Sequence, residues 1–329
     1  MAAVKPTEIA QILKKKNNFI IVSHARPDGD TVGSAAALAF TLRSFGKKAV
    51  CLCSDDIPDR LKFISKEEFA FEPVPKTIKA SHFVIVVDTA APHLLGNLEG
   101  LLTNNVDLLI DHHPSSSIEA EYTYVDPTAS ACGELVYRIM LALSKETLPP
   151  DALTAVYAAI SSDSGCFMYG NTTAKTHKIA ADLIARGVDG ADINDRLFRR
   201  KSLSEVRAAK LAYTNINFYR GGKITLVNFT NYMKKEEMLE DEDLGSVVNI
   251  AKEIDGVELA LFIKEIAGRD GEYKLSVRSD PNIDASAICK AFGGGGHRQA
   301  AGATFSAVSP ESAQRLVLNA VYNYYELYC

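Results

Sequence analysis

Phe19-Ile20-Ile21-Val22 runs directly into Ser23-His24-Ala25-Arg26-Pro27-Asp28-Gly29-Asp30-Thr31-Val32-Gly33-Ser34. The apolar run reads as a buried strand. Val32 to Phe45 reads as a helix of small residues closed near Gly46. Between them a histidine and two aspartates crowd one loop, where Pro27 and Gly29 force a turn. Carboxylates this close repel one another unless a cation neutralises them. The same residues also suit a turn that caps the next helix through Asp30 or Thr31.

The pattern repeats downstream. Ala49 to Cys53, Phe83 to Val87 and Val106 to Ile110 read as further strands, and Ala131 to Leu143 and Ala152 to Ser162 as helices. Strands alternating with helices imply an α/β fold with a mostly parallel sheet covered on both faces. Asp88 follows the second-last of these strands, and Asp111-His112-His113-Pro114 follows the last. In open α/β sheets ligands bind outside the carboxyl ends of the strands, so three loops bring His and Asp to one rim. Imidazole and carboxylate together suit manganese, iron or zinc. Asp163 ends an apolar helix, where the helix dipole disfavours a carboxylate unless a positive charge compensates. Taken singly, Asp88 also reads as a turn former, and Asp-His-His occurs by chance.

Ala174 to Arg186 closes a first domain, placed at residues 1–188, with a boundary at Gly187 to Gly190. Residues 189–218 read as a charged helical connector in which Arg199-Arg200-Lys201 is a solvated face, and 219–329 as a smaller α/β domain. There Ile224 to Asn228, Val257 to Lys264 and Tyr273 to Arg278 read as strands, and Asp243 to Ile254 and Asp284 to Phe292 as helices. Gly293-Gly294-Gly295-Gly296 would each weaken a regular element by roughly 1 kcal/mol. They are tolerated where a ligand approaches backbone amides. With His297 at a helix start they would form an anion nest, and Arg278 is a cationic neighbour.

The chain has 329 residues, 47% of them apolar and 23% charged, and a net charge of −5. Two soluble domains follow from the length. The acidic balance excludes bulk electrostatic binding of long nucleic acid, so a nucleic-acid substrate is short and gripped locally. No run approaches the roughly 18 apolar residues of a membrane span, and no secretory signal is visible. Six cysteines without disulfide or zinc spacing read as free thiols of a reducing cytoplasm. The apolar face Leu135, Ile139, Leu143 suits a homodimer or a core equally.

With His24-x-x-Pro27-Asp28-x-Asp30, Asp88, Asp111-His112-His113, Asp163, and Gly293 to His297 with Ala300-Ala301-Gly302 in this order, the chain resembles the DHH family of phosphoesterases, in the branch with a DHHA1-type second domain. The resemblance covers nearly the whole chain. It implies a catalytic metal-binding first domain, a substrate-binding second domain and an active site in the cleft between them. It implies two divalent cations, usually manganese, one held by His24, Asp28 and Asp88 and the other by Asp30, Asp88, His112 and Asp163. Asp111 would orient the histidines, and His113 would face the substrate phosphate. Arg278, Gly294, Gly295, Gly296 and His297, with Arg298 as the weaker candidate, would hold another phosphate or the end of the substrate. The implied reaction is hydrolysis of phosphate esters in short nucleotides by hydroxide activated between two cations. Chain length suggests the nanoRNase/pAp phosphatase type, acting on oligoribonucleotides of two to five nucleotides or 3′-phosphoadenosine 5′-phosphate (pAp). Alternatives are cleavage of linear or cyclic dinucleotides and, more remotely, a non-catalytic nucleotide-binding module.

Overall fold

A computed structural model describes residues 2–65, 77–79 and 81–328. The chain divides into two compact units, Met1–Arg200 and Lys201–Cys329.

In the first unit the elements are β1 (Ala2–Ala3), α1 (Pro6–Lys15), β2 (Asn18–Val22), α2 (Gly29–Ser44), β3 (Lys48–Leu52), α3 (Lys62–Ser65), β4 (Phe83–Val87), α4 (Glu99–Leu102), β5 (Leu108–Asp111), β6 (Tyr122–Val125), α5 (Cys132–Leu143), α6 (Pro150–Asp163), α7 (Ala174–Ala185) and α8 (Gly190–Asn194). The six strands form one parallel sheet in the order β1-β6-β5-β4-β2-β3. Its central strands are apolar along their interior, with Asn18 and Asp111 only at strand ends, because both faces are covered. Phe19, Ile21, Ile85 and Val87 face the core shared with α1, α2, α5 and α6. Ile20, Val22, Val84 and Val86 face a smaller core with Leu95, Leu98 and Leu102. The chain reverses its direction of winding between β2 and β4, so the crevice at their carboxyl ends is the topological switch point. His24 follows one of these strands and Asp88 the other.

Two local expectations are corrected here. First, α2 begins at Gly29, three residues before Val32, and Asp28 is its cap, accepting from the N–H groups of Asp30 and Thr31 at 3.0 Å each. Gly29 does not make a turn. It removes a side chain where α2 meets α6, since a Cβ there would lie 2.5 Å from Ser162 Oγ. A Cβ on Gly33, one turn further, would lie 2.5 Å from the Ala155 carbonyl oxygen. The start of α2 is therefore pressed against the end of α6, which carries Asp163 beside Asp28 and Asp30. Gly33→Ala is expected to force these helices apart and to destabilise the unit by about 1–3 kcal/mol, the usual range for overpacking, read as a lowered midpoint of denaturant unfolding. Second, β5 extends through Asp111, which is the last residue of the strand and does not follow it.

The first unit continues past the boundary read at Gly187 to Gly190. Ile193 is buried in its core, and Ser161 Oγ donates to Asn194 at 2.5 Å. Residues 189–218 therefore divide at Arg200. Leu135, Ile139 and Leu143, which suited a dimer or a core, all belong to the core of this unit.

The second unit contains α9 (Leu203–Thr214), β7 (Asn217–Tyr219), β8 (Ile224–Phe229), α10 (Asn231–Glu236), α11 (Val247–Lys252), β9 (Leu259–Glu265), β10 (Glu272–Ser279), α12 (Ala285–Lys290), β11 (Gly295–His297), β12 (Ala300–Ser306) and α13 (Pro310–Tyr328). Its sheet runs β11-β12-β10-β9-β8-β7 and is antiparallel except for the β8–β9 pair. One face packs on α12 and α13 and the other on α9 and α11. His297 does not start a helix: Gly295 to His297 pair with Ala300 to Gly302 in a tight antiparallel ladder. The glycines permit this approach, because a Cβ on Gly294 would lie 2.3 Å from the Gly302 carbonyl oxygen and one on Gly296 would lie 2.6 Å from that of Ala300. The helix read at Asp243 to Ile254 is a short turn followed by α11.

Candidate metal centre

Eight of the residues singled out in the sequence, His24, Asp28, Asp30, Asp88, Asp111, His112, His113 and Asp163, meet at the carboxyl edge of the first sheet. His24 Nδ1 is engaged by its neighbour's carbonyl, Ala25 O, at 2.8 Å. This leaves Nε2 facing Asp28 Oδ1 at 3.8 Å and Asp88 Oδ2 at 3.6 Å. His112 is arranged the same way. Its Nδ1 lies 3.2 Å from Ala129 O, and its Nε2 faces Asp88 Oδ1 at 3.4 Å, Asp163 Oδ2 at 3.6 Å and Asp30 Oδ2 at 3.8 Å. A carbonyl on one ring nitrogen with the other turned toward carboxylates is the usual posture of a metal-binding imidazole.

Among the described residues, three groups of potential ligand atoms lie within 4.8 Å of one another: His24, Asp28 and Asp88; Asp30, His112 and Asp163; and Asp88, His112 and His113. Asp88 is common to two of them. It is buried, its backbone is left-handed with φ of 52°, and its Oδ1 has no hydrogen-bond partner. A buried carboxylate oxygen left without a donor is costly. These donors fit divalent cations, which would satisfy that oxygen and offset the charges of Asp28, Asp30, Asp88 and Asp163.

Asp111 is fully buried and turned back on the two residues after it. Its Oδ1 accepts from His112 N at 2.8 Å and His113 N at 3.3 Å, and lies 2.7 Å from His113 Nδ1. The ring of His113 is thereby oriented by Asp111, with its Nδ1 already taken.

The electrostatics show how the cluster balances charge in this state. Burial opposes a charge on His24, but Asp88 and Asp28 outweigh it and push the imidazole up to about 9. Burial is likewise overcome at His112 by Asp88, Asp30 and Asp163, and its pKa rises to about 10. Asp88, despite its burial, is held down to about 2 by His112 and His24. Asp163 rises to about 6 through burial, with repulsion from Asp88 and Asp28 adding to it. Asp30 is raised well above the carboxylate range by burial and by Asp88 and Asp163.

Several supporting groups were not read from the sequence. Ser34 Oγ donates to Asp30 Oδ1 at 3.0 Å; its position one turn along α2 was a readable signal. The N–H groups of Cys132 and Gly133 donate to the Asp30 carboxylate at 2.7 and 3.0 Å. The cap residue Ala131 provides no side-chain acceptor, so Asp30 caps α5 from a distant part of the chain. Asn171 and Glu134 also stand behind the site, and only Glu134, four residues before Arg138, left a trace in the sequence pattern.

The other singled-out residues belong to the second unit. Strand register places Arg278, Ala300 and His297 in one row across its sheet. Arg278 Nη1 donates to Val277 O at 3.0 Å, and Arg298 Nε donates to Pro281 O at 3.1 Å.

Comparison with known proteins follows these two units. Residues 18–160 match the DHH family N-terminal domain, and residues 226–325 match the DHHA1 domain. The chain is 31% identical over 317 residues to the bifunctional oligoribonuclease and PAP phosphatase NrnA of Thermus thermophilus, covering 95% of this chain and 92% of that protein. It is 26% identical to the protein of the same name from Bacillus subtilis, covering 94% and 96%. An exopolyphosphatase-related protein from Bacteroides fragilis shares the fold with a TM-score of 0.88 at 22% identity, covering 98% of this chain and 96% of that one. An enzyme's metal-type cluster at the switch point, the two matched domains and the end-to-end likeness to NrnA agree: the chain belongs to the DHH family of phosphoesterases, with a DHHA1 second domain.

Proposed function

We propose that this enzyme hydrolyses phosphate esters of short nucleotides, namely oligoribonucleotides of two to five residues and pAp, with two divalent cations held by the first unit. One observation carries the reading: Asp88 presents its two oxygens to two separate histidine–aspartate groups, and one of those oxygens is buried without a donor. In this reading His24, Asp28 and Asp88 hold one cation, and Asp30, Asp88, His112 and Asp163 hold the other. The mixed imidazole and carboxylate set suits manganese. When bound, the cations would lower the pKa of water and neutralise phosphoryl oxygens. Asp111 keeps the His113 ring in one orientation, so that Nε2 is the nitrogen offered to a substrate phosphate. Arg278, Gly294, Gly295, Gly296, His297 and Arg298 are the proposed anion-binding groups of the second unit.

The NrnA relatives support this substrate class, and the net charge of −5 favours a short substrate over a long strand. The five described cysteines are free thiols, which supports a reducing, cytoplasmic setting; Cys329 lies outside the described residues. No helix among the described residues is long and apolar enough to cross a membrane.

The test is turnover by purified protein with added manganese, and with chelator, on pAp, a diribonucleotide, a five-nucleotide RNA, cyclic di-AMP and pyrophosphate. Manganese-dependent release of phosphate from pAp and trimming of the short RNAs is the expected result. Cleavage confined to cyclic di-AMP would move the substrate to the dinucleotide class. No turnover of any of them with cations bound would overturn the catalytic reading.

A further inference from the structure

The segment Ala129–Gly133, between β6 and the first turn of α5, reaches three of the proposed ligands. Ala129 O lies 3.2 Å from His112 Nδ1. The N–H groups of Cys132 and Gly133 donate to the Asp30 carboxylate. Ser130 O accepts from Asn171 Nδ2 at 3.0 Å, and the same nitrogen donates to Asp163 O at 3.0 Å. His24 and Asp28 are oriented elsewhere, the one by Ala25 O and the other by the N–H groups of its own helix.

The segment is itself anchored. Glu134 is fully buried, and its Oε1 accepts from Ser130 Oγ at 2.9 Å and Thr176 Oγ1 at 2.7 Å. Its Oε2 accepts from Arg138 at 3.1 Å, which also donates to Asp126 at 2.7 Å. On the other side, Gly165, Cys166 and Phe167 have φ of 56°, 57° and 65°. That left-handed run, beginning two residues after Asp163, turns the chain back, so that Asn171 returns to the Asp163 carbonyl. Two consecutive non-glycine residues hold a conformation that side chains disfavour, which marks a loop fixed by its surroundings. Phe167 provides the fixing contact, stacking on His177 at 5.5 Å and meeting Tyr157 edge-on at 5.9 Å.

We propose that Ala129–Gly133, closed onto Asp163 by the Asn171 carboxamide, is a bracket that pre-organises the cation site of Asp30, His112 and Asp163 separately from that of His24 and Asp28, with Asn171 as its positioning residue. The inference rests on the ligand assignment above. Its consequence is that the two sites can be weakened one at a time. Groups that orient a ligand change cation affinity by roughly 10–100-fold when removed.

Manganese binding to metal-stripped full-length protein, followed by calorimetry and by spin-counting of free manganese, tests this. Wild type is expected to take up two cations. Asn171→Ala is expected to keep one affinity and to lose about 10–100-fold in the other. Turnover of pAp by this variant should be restored by excess manganese, with KM for pAp unchanged. Should Asn171→Ala not fold, Asn171→Gln carries the same expectation, because the longer side chain displaces the amide. Equal loss at both sites, or none, overturns the bracket. Asp163→Ala separates the two claims. If it keeps both cations at wild-type affinity, the ligand assignment itself fails. If it loses one while Asn171→Ala loses nothing, only the bracket fails.

Discussion

Asp88→Asn is expected to abolish turnover and to strip the protein of bound cations while leaving it folded. The replacement keeps the shape of the side chain, and asparagine is among the few residues at ease in the left-handed conformation that Asp88 adopts. Backbone pairing is also kept, since Asp88 N donates to Ile110 O whatever the side chain. What is lost is the charge facing both His24 and His112. In the proposed assignment this one carboxylate serves both cations, so neither site survives intact. Loss of a ligand should exceed the roughly 10–100-fold that follows loss of a group merely orienting one. A fall in kcat of about 10³-fold or more is therefore expected, with metal content well below that of wild type and an unchanged circular dichroism spectrum. Near-normal activity with two cations retained would refute the shared role of Asp88.

Cation binding is expected to release at least two protons per chain at neutral pH, one each from His24 and His112, with Asp30, raised well above the carboxylate range, adding to the count where it holds a proton. Both imidazoles are largely shielded from water, which alone would disfavour their charge, yet the surrounding carboxylates push them up to about 9 and about 10. At pH 7 the metal-free protein therefore holds both as imidazolium ions, which stand in for cations among the aspartates. A metal requires the neutral nitrogen, so each proton must leave. The sign follows: affinity is weak at low pH and rises as pH approaches the histidine values. Each released proton contributes about tenfold per pH unit, so the product of the two binding constants should rise at least about 100-fold per unit between pH 7 and 8. Toward pH 6 Asp163, itself raised to about 6, begins to take up a further proton and steepens the loss. Calorimetry of manganese binding in buffers of different ionisation enthalpy reads the proton count directly. A count of zero would mean that these histidines are neutral before the metal arrives, or that they do not bind it.

Much of the first unit was legible because its local patterns are unambiguous. Short β-branched runs followed by polar loops can only be buried strands that end at a rim, and His24, Asp88 and the Asp111-His112-His113 run stand at those ends. The misreadings share a cause. Glycine was taken as a mark of local backbone need, a turn at Gly29 and the approach to a helix start at Gly293 to Gly296. At Gly29 and Gly294 the structure shows steric need instead, a side chain omitted so that another element can approach, and at Gly296 it shows both that need and a φ of 143°. The domain limit failed similarly, because Gly187 and Gly190 look like a linker until Ile193 is seen buried beyond them.

Residue chemistry and spacing along the chain were enough to single out the histidines and aspartates that gather at one edge of the sheet, since strand period and chain direction dictate which loops share a rim. They were not enough to say how the donors are aimed. Asp30 is held by the N–H groups of a helix about a hundred residues away. Asp163 is tied through Asn171 to the same segment that receives His112, and Glu134 anchors that segment from inside the core. These contacts join groups with no fixed separation in sequence. A hydrogen bond depends on where two atoms come to rest, and that is settled only when α2, α5 and α6 pack together.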